Sequence, residues 1–370
     1  MYLSKSEKYV AGKWSRLMSL EILVVDDSAL LRRVECDIIN SDNKFKVTDT
    51  CKDGLEALEK LRTKKYDGVV LDINMPRMDG LELLQQLQKE KIKANIVMAS
   101  TLTVEGADEA IKSLELGAID FVTKPSNIIE AKGDAFKKAL LDVLYAATKA
   151  RVHFKKPSLT PAADKTAASS VNRLKKPGQN KIIAIASSTG GPKALQSVIP
   201  KIPADIDAPV VLVQHMPAGF TSSMAARLNE LSKVQVKEAE DGELLKKGVV
   251  YIAPGGKHIV VNKKGASHVI GYSDMPPIGG LKPCANIMFD SLGQTGFDEV
   301  VCVVLTGMGA DGTNGILSLG KKKSVHVIAQ DESSCIVYGM PRAIYEAGVV
   351  DEVVALSKVA ETITKNVGVK

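Results

Sequence analysis

The sequence predicts an α/β protein made of two doubly wound parallel-sheet domains. Short apolar runs alternate with amphipathic helical patterns five times before residue 148, and the alternation resumes after residue 181. Continuously apolar strands of this kind are typical of parallel sheets covered by helices on both faces. The segment between them, residues 148–180, mixes Pro, Ser, Ala and Lys without an apolar period, which predicts a flexible basic linker.

The first domain is predicted over residues 19–147, after an N-terminal tail at 1–18. Its five strands read EILVVDD, KVTDTC, YDGVVLDI, ANIVMAS and AIDFVTKP, and a helical pattern follows each of them. The tail has no apolar stretch of the kind found in secretory signals. The five cysteines are scattered without CxxC spacing, which predicts reduced thiols in the cytoplasm.

The second domain is predicted over residues 181–370. Its parallel strands read KIIAIASS, APVVLVQHM, EVVCVVLTG and SVHVIAQD. Between the second and third of these lie VVYIAPGGKHIVV and SHVIGYS, which carry turn signals and have no helix between them. We therefore expect a small antiparallel insert at this point.

The net charge of +6 is concentrated outside the predicted domains. Residues 148–181 contribute +8 and residues 1–18 contribute +3, so the rest of the chain carries −5. This distribution argues against a nucleic-acid-binding face on either domain, although a basic tether contacting nucleic acid or an acidic partner stays open. A solvated linker is the simpler interpretation. No apolar run approaches the ~20 residues that span a bilayer.

Polar residues follow the strands of the first domain, at the sheet edge where ligands bind in such folds. Strand one is followed by Asp26 and Asp27, strand three ends in Asp72, strand four ends in Ser100, and strand five is followed by Lys124. Clustered carboxylates repel one another unless a hard cation such as Mg²⁺ neutralises them. A lysine and a hydroxyl suit phosphoryl oxygens. One such pair fits an ordinary turn, but the whole ordered set favours a phosphoryl site.

Residues 20–146 resemble a response-regulator receiver domain, a flavodoxin-like fold, through VVDDS, LDINMPRMDG and FVTKP. The resemblance implies a phosphoryl transfer from a sensor histidine kinase, with Mg²⁺ bound beside the acceptor. The residues it implies are the acceptor Asp72, the Mg²⁺ ligands Asp26, Asp27, Asp72 and Asn74 (through its backbone carbonyl), and the switch residues Ser100, Phe121 and Lys124. The family often has Tyr where Phe121 stands.

A glycine-rich strand-to-helix turn, IAIASSTGGPKAL at residues 183–195, opens the second domain. It lacks both the Lys-Ser/Thr of a Walker loop and the GxGxxG of a dinucleotide site. What remains is a Ser or Thr on a tight turn, with Gly190 and Gly191 allowing the turn and Pro192 suiting the first helical turn. Backbone N–H groups at the helix start could stabilise an oxyanion. Taken alone, the segment fits a structural turn equally well.

A serine nucleophile needs a base, and the chain has five histidines. Four of them fall in the linker, within a strand or in the insert: His153, His326, His258 and His268. His215 follows the strand after the serine turn, so it lies at the same sheet edge, although a lone histidine there is commonly a polar turn residue. Asp311 in VVCVVLTGMGADG reaches that edge too. The topology therefore brings together Ser188, His215 and Asp311 as nucleophile, base and orienting acid.

The order Ser, His, Asp differs from that of α/β-hydrolases and of chymotrypsin-like and subtilisin-like enzymes. Residues 181–367 resemble the catalytic domain of the chemotaxis protein-glutamate methylesterase family, CheB. The matching segments are ASSTGGPKAL, VLVQHMPAGF, YIAPGGKHIVV, VLTGMGADG and AQDESSCIVYGMPRAI. The resemblance puts the nucleophile on Ser188 rather than Ser187, because Ser188 directly precedes Thr-Gly-Gly. It implies catalytic residues Ser188, His215 and Asp311 and lining residues Thr189 and Met308.

The segment PCAN, residues 283–286, departs from the family's more usual Pro-Ser-Val-Asp. We expect this difference to alter substrate contacts and to leave the triad unaffected.

The resemblance implies a phosphorylation-activated hydrolase that removes methyl groups from glutamyl γ-methyl esters of chemoreceptors and deamidates receptor glutamines. We expect Mg²⁺ for phosphorylation, no cofactor for the esterase, and a cytoplasmic monomer that neither inserts into membranes nor binds nucleic acid. One alternative is a response regulator whose second domain only binds a partner. Another is a nucleic-acid-binding regulator, although no helix-turn-helix pattern follows the receiver.

Overall fold

The computed structural model describes residues 19–125, 127–150 and 180–369. The predicted tail at 1–18 and most of the predicted linker, with His153, lie outside the described residues. The chain divides into two compact units, Met1–Thr148 and Lys149–Lys370. Among the described helices, none is both long and apolar enough to cross a membrane.

The first unit contains one parallel sheet with the strand order β2-β1-β3-β4-β5. The strands are β1 Leu20–Val25, β2 Phe45–Cys51, β3 Gly68–Asp72, β4 Ile96–Ser100 and β5 Asp120–Thr123. The helices are α1 Ala29–Asn40, α2 Gly54–Thr63, α3 Gly80–Glu90, α4 Val104–Glu115, α5 Ile128–Ala131 and α6 Asp134–Ala150. The five predicted strand–helix pairs are all present, and α6 continues three residues into the segment predicted as linker.

Side-chain caps start the helices directly after the strand ends. Ser28 accepts a hydrogen bond from the N–H of Leu31 and so caps α1. Asp79 and Glu82 form a reciprocal capping box at α3. Such caps satisfy N–H groups that a helix start leaves unpaired.

The second unit contains a parallel sheet with the order β14-β13-β12-β6-β7-β9-β8 and a two-stranded sheet of β10 and β11. The strands are β6 Lys181–Ser187, β7 Val210–Gln214, β8 Gln235–Glu238, β9 Val249–Ile252, β10 His258–Lys264, β11 Ser267–Ser273, β12 Glu299–Val304, β13 Ser324–Gln330 and β14 Glu352–Val354. The helices are α7 Gly191–Val198, α8 Phe220–Leu231, α9 Ala285–Ser291, α10 Thr313–Gly320, α11 Gly339–Glu346 and α12 Val359–Val367. The predicted fold class is confirmed.

The antiparallel insert is smaller than the sequence predicts. Among the strands of the described residues, β10 and β11 are the one pair that runs antiparallel. The segment VVYI, β9, instead lies between β7 and β8 and runs parallel to both. All four residues of β9 are buried, as expected of a strand covered on both faces. The missing intervening helix misled the prediction, because β8 reaches β9 through a loop.

Candidate active site and phosphorylation site

The turn between β6 and α7 presents Ser188 at the carboxyl edge of the large sheet. Gly190 has φ +74°, a left-handed conformation that favours glycine. A Cβ atom at Gly190 would lie 2.7 Å from Cβ of Ile336. At Gly191 it would overlap Oε1 of Gln214. Both glycines are therefore needed for this turn to pack as it does.

The two adjacent serines have different environments. Ser187 is fully buried, and its Oγ donates a hydrogen bond to Oε1 of Gln214 at 2.7 Å. Ser188 is half-buried, and within the described residues its Oγ makes no hydrogen bond. Of the pair, Ser188 is the one whose hydroxyl is available to react.

Gln214 holds the backbone of both predicted reacting residues, which the sequence analysis missed. Its Nε2 donates to the carbonyl oxygen of Ser188 at 2.9 Å and to that of His215 at 3.1 Å. The side chain is almost fully buried. The sequence could have indicated this role, because Gln214 is the last residue of β7 and directly precedes His215. A buried amide there can reach both neighbouring strand ends.

The structure brings His215 and Asp311 into direct contact. Nε2 of His215 lies 2.8 Å from Oδ2 of Asp311, and the two side chains are 9% and 5% exposed. This leaves Nδ1 as the ring nitrogen that can accept a proton from a nucleophile. The arrangement suits a base oriented by a carboxylate. Of the other histidines that the structure describes, His326 lies in β13 and His268 in β11, and His258 in β10 is close enough to Asp311 to feel its charge.

Asp311 is held in its ionised form. Burial by itself raises the pKa of this carboxyl, but the hydrogen bond and charge of His215 outweigh it. The N–H of Ala285 and the thiol of Cys284 act in the same direction, so the pKa of Asp311 is lowered to about 2. A carboxylate that stays charged can stabilise the imidazolium formed when His215 takes a proton.

The PCAN segment, expected to leave the triad unaffected, contacts Asp311 directly. Cys284 Sγ donates to Oδ1 at 3.1 Å, and the N–H groups of Ala285 and Asn286 donate at 2.6 Å and 3.0 Å. The Asn286 side chain also accepts from Gly312 N at 3.0 Å. The start of α9 therefore packs against the loop that carries Asp311, and the effect of this segment on the triad stays a prediction.

The residues predicted to line the site lie on the β6 and β12 loops, which contact each other. The N–H of Ser188 donates to the carbonyl oxygen of Thr306 at 3.0 Å. Oγ1 of Thr306 donates to the carbonyl oxygen of Thr189 at 3.0 Å. A Cβ atom at Gly307, directly before Met308, would lie 2.8 Å from Cβ of Ser188. Thr189 and Met308 are thus placed beside the serine, and their roles stay predictions.

In the first unit, three carboxylates meet at the carboxyl edge of the sheet. Ligand atoms of Asp26, Asp27 and Asp72 lie within 4.8 Å of one another. Lys124 Nζ lies 2.6 Å from Oδ2 of Asp26 and 2.8 Å from Oδ1 of Asp72. Within the described residues, the one positive charge in contact with the carboxylates of Asp26 and Asp72 is that ammonium group. An oxygen-only cluster of three carboxylates fits a hard cation such as Mg²⁺.

The carboxyl group of Asp72 has a raised pKa. Burial raises its pKa to about 6, the charge of Lys124 opposes the rise, and Asp26 and Asp27 add to it. At neutral pH the group is mainly ionised, and its carboxylate oxygen can attack a phosphorus atom. Asn74 lies just after Asp72 in an exposed position, and its Nδ2 donates to Oε2 of Glu109 at 3.1 Å.

Of the predicted switch residues, Lys124 contacts the acidic cluster, and Ser100 and Phe121 are buried in β4 and β5. Ser100 is buried, and its Oγ donates to the carbonyl oxygen of Gly106 at 2.7 Å. The N–H of Lys124 donates to the carbonyl oxygen of Ser100 at 2.6 Å. Phe121 is 8% exposed, so its ring is packed inside the unit. In this conformation the Ser100 hydroxyl bonds to the start of α4.

Glu35 is a buried carboxyl near this cluster that the sequence analysis missed. It is 1% exposed, and within the described residues its Oε2 has no hydrogen-bond partner. Burial, followed by the charge of Asp26, raises its pKa to about 8. Its burial could have been predicted from the helical spacing of the sequence, because Glu35 lies on the same buried face of α1 as Ile38 and Ile39.

Glu35→Gln should stabilise the metal-free protein in a pH-dependent way. Burial raises the pKa of Glu35 in the folded state from 4.5 to about 8. The free energy of unfolding of the wild-type protein therefore falls as pH rises from 4.5 through 8. The variant should gain up to about 4 kcal/mol at pH 8 and under about 1 kcal/mol at pH 5. Urea unfolding at both pH values measures this, with exposed Glu59→Gln as control. An equal shift at both pH values would contradict it.

The comparisons with known proteins follow the same division of the chain. The response regulator receiver domain family matches residues 22–132, and the CheB methylesterase family matches residues 183–363. A protein-glutamate methylesterase/protein-glutamine glutaminase of Halalkalibacterium halodurans is 41% identical over 94% of this chain and 98% of the relative. The chain belongs to the CheB methylesterase family.

A further relative and a solved structure are also similar to this chain. A protein of the same name from Bacillus subtilis is 42% identical over 93% of this chain and 98% of the relative. The crystal structure of the Thermotoga maritima CheB methylesterase catalytic domain is 40% identical, covers 51% of this chain and 99% of that chain, and has a TM-score of 0.49. The relatives from Halalkalibacterium halodurans and Bacillus subtilis each match both units of this chain.

Proposed function

We propose that this CheB-family chain is a phosphorylation-activated protein-glutamate methylesterase that also acts as a protein-glutamine glutaminase. Its curated relatives carry that name at about 40% identity over nearly their whole length. The observation that carries the proposal is the 2.8 Å contact between His215 and Asp311, at the sheet edge where Ser188 Oγ makes no hydrogen bond within the described residues. A base oriented by a carboxylate at the edge that carries a serine hydroxyl supports acyl transfer.

The first half-reaction forms an acyl-enzyme. Ser188 Oγ attacks the carbonyl carbon of a glutamyl γ-methyl ester while its proton passes to Nδ1 of His215. Asp311 stabilises the imidazolium through Nε2. The tetrahedral intermediate collapses, the C–OCH₃ bond breaks, and His215 returns the proton to the leaving methoxide. Methanol departs, and the glutamyl group stays on Ser188 as an ester.

The second half-reaction releases glutamate. His215 takes a proton from water, the resulting hydroxide attacks the ester, and Ser188 Oγ leaves with the proton that His215 returns. A glutamine side chain follows the same path with ammonia as the leaving group. Both substrates pass through the same tetrahedral oxyanion, so one site serves both.

The receiver unit supplies the control. Asp72 takes a phosphoryl group from a histidine kinase, forming an acyl phosphate, while Lys124 contacts the phosphoryl oxygens. Asp26, Asp27, Asp72 and the backbone carbonyl of Asn74 would hold Mg²⁺, which supplies positive charge to offset the phosphoryl group. The substrate partner is a methyl-accepting chemoreceptor. The cytoplasm suits these partners and the five free cysteines.

Two assays test this function. Purified protein should release methanol from a methylated receptor, and a phosphodonor with Mg²⁺ should raise the rate by about 5- to 150-fold, the usual range of coupling between sites. Asp72→Asn should abolish that increase and leave the basal rate, while Asp37→Asn on the exposed face of α1 should respond like wild type. Methanol release that ignores the phosphodonor would contradict control through Asp72.

A further inference from the structure

The carboxylate of Asp311 is surrounded by hydrogen-bond donors on both oxygens. Oδ2 accepts hydrogen bonds from Nε2 of His215 and from the N–H of Ala285. Oδ1 receives the N–H groups of Asn286 and Gly312 at 3.0 Å and 2.9 Å. The remaining donor to Oδ1 is a side chain, the thiol of Cys284, at 3.1 Å.

A hydrogen bond between the backbone of Cys284 and His258 helps to fix the position of Cys284. Its side chain is 1% exposed, and its N–H donates to Nδ1 of His258 at 3.1 Å. His258 is fully buried, and its Nε2 lies 3.2 Å from the carbonyl oxygen of Pro276. A ring that accepts at Nδ1 must carry its hydrogen at Nε2. His258 therefore accepts from the N–H of Cys284 at Nδ1 and donates to Pro276 at Nε2, and these bonds hold the backbone of Cys284 in place.

The thiol of Cys284 remains a donor throughout the working range of the enzyme. Burial, followed by the charge of Asp311, raises its pKa to about 12. A neutral S–H group is a weak donor, but its bond to a carboxylate is charge-assisted. It is also the one donor to Oδ1 that substitution can remove without changing the backbone.

We propose that Cys284 is a positioning residue for the triad, whose thiol orients the carboxylate of Asp311 and withdraws part of its charge from His215. The inference rests on the proposed esterase function. The thiol binds Oδ1, which turns Oδ2 toward Nε2 of His215. Without the thiol, Oδ1 keeps two backbone donors, the carboxylate gains freedom to rotate, and more of its charge faces the imidazole.

Two consequences follow for the reaction of Ser188. A less ordered carboxylate holds His215 less well, so the chemical step slows while substrate binding is unchanged. More negative charge beside the imidazole favours its protonated form, so the acid limb of the pH–rate profile moves to higher pH. Within the described residues, the other ionisable groups facing this cluster are His258, whose pKa burial lowers, and Lys282 beside it. Neither changes in the proposed variants.

The test uses Cys284→Ala, Cys284→Ser and Cys302→Ala in the full chain. Cys302 is fully buried in β12, away from Asp311, so it controls for the loss of a buried thiol. The rate of Ser188 phosphonylation by a fluorophosphonate, measured across pH, reports the nucleophile without a receptor. The values of kcat and KM for methanol release report the ester reaction.

Cys284→Ala should lower kcat and the phosphonylation rate by about tenfold, leave KM unchanged and move the acid limb to higher pH. Cys284→Ser, which keeps a donor, should restore both the rate and the acid limb, and Cys302→Ala should behave like wild type. Wild-type rates and an unmoved acid limb in Cys284→Ala would overturn the inference. So would a loss of rate that Cys302→Ala shares.

The readouts separate this inference from the proposed function. If the wild-type chain is phosphonylated at Ser188 but releases no methanol from a methylated receptor, the proposed function fails. The dependence of phosphonylation on Cys284 is measured in either case. Normal methanol release with no dependence on Cys284 would leave the function standing and remove the positioning role.

Discussion

Ser188→Ala is expected to lower methanol release from a methylated receptor by about 10⁵- to 10⁶-fold, the loss seen when a triad nucleophile is removed. The physical reason is that, of the adjacent pair, Ser187 bonds to Gln214 while the Ser188 hydroxyl makes no hydrogen bond within the described residues. Its side chain is half-buried and contributes little to packing, so circular dichroism and thermal unfolding should match wild type.

Ser187→Ala is the matched control for that variant. It removes the bond to Oε1 of Gln214 and leaves a buried acceptor unpaired, which costs about 1–3 kcal/mol of stability. Because Nε2 of Gln214 keeps its bonds to Ser188 and His215, activity should stay within about tenfold of wild type. Equal losses in the two variants would contradict the assignment of the nucleophile.

Asp311→Asn is expected to lower kcat by about 10⁴-fold, the effect of the equivalent change in a serine-protease triad. An amide has one acceptor oxygen, yet the site presents donors to both positions, from Ala285 on one side and Asn286 on the other. The amide N–H₂ must therefore face another donor, and the imidazole loses its carboxylate partner.

The control for Asp311→Asn is Asp290→Asn, in the helix that packs against the site. Asp290 is half exposed and pairs with Lys322, and exposed pairs contribute under about 1 kcal/mol. Its activity should match wild type. An Asp311→Asn enzyme that keeps more than a tenth of wild-type kcat would show that His215 acts without a carboxylate partner.

Most of the fold was predictable because the buried strands are continuous apolar runs in the sequence. Strands such as β3 and β7 are apolar at nearly every position and buried throughout. The strands β8 and β14 were missed because they read QVKE and EVV, are short, and are largely half-buried or exposed. They add to the edges of a sheet that already exists, so their pairing depends on the tertiary structure more than on their own composition.

The site was predictable where it depends on strand order. Ser188, His215 and Asp311 each follow a strand of one parallel sheet, and topology alone brings such positions to a common edge. The donors to Asp311 were not predictable, because Cys284 lies 27 residues from it and meets it only through the packing of α9. Gln214 was hidden similarly, since a buried glutamine at a strand end has no characteristic spacing.

The catalytic role of Ser188 is tested most directly by mapping a fluorophosphonate adduct while methanol release is followed on the same sample. The account predicts one adduct per chain, on the peptide containing Ser187 and Ser188 and assigned by fragmentation to Ser188. Methanol release should fall in proportion to labelling, and His215→Ala should slow labelling. An adduct on Ser187 or on a distant serine, or methanol release that persists after complete labelling, would contradict it.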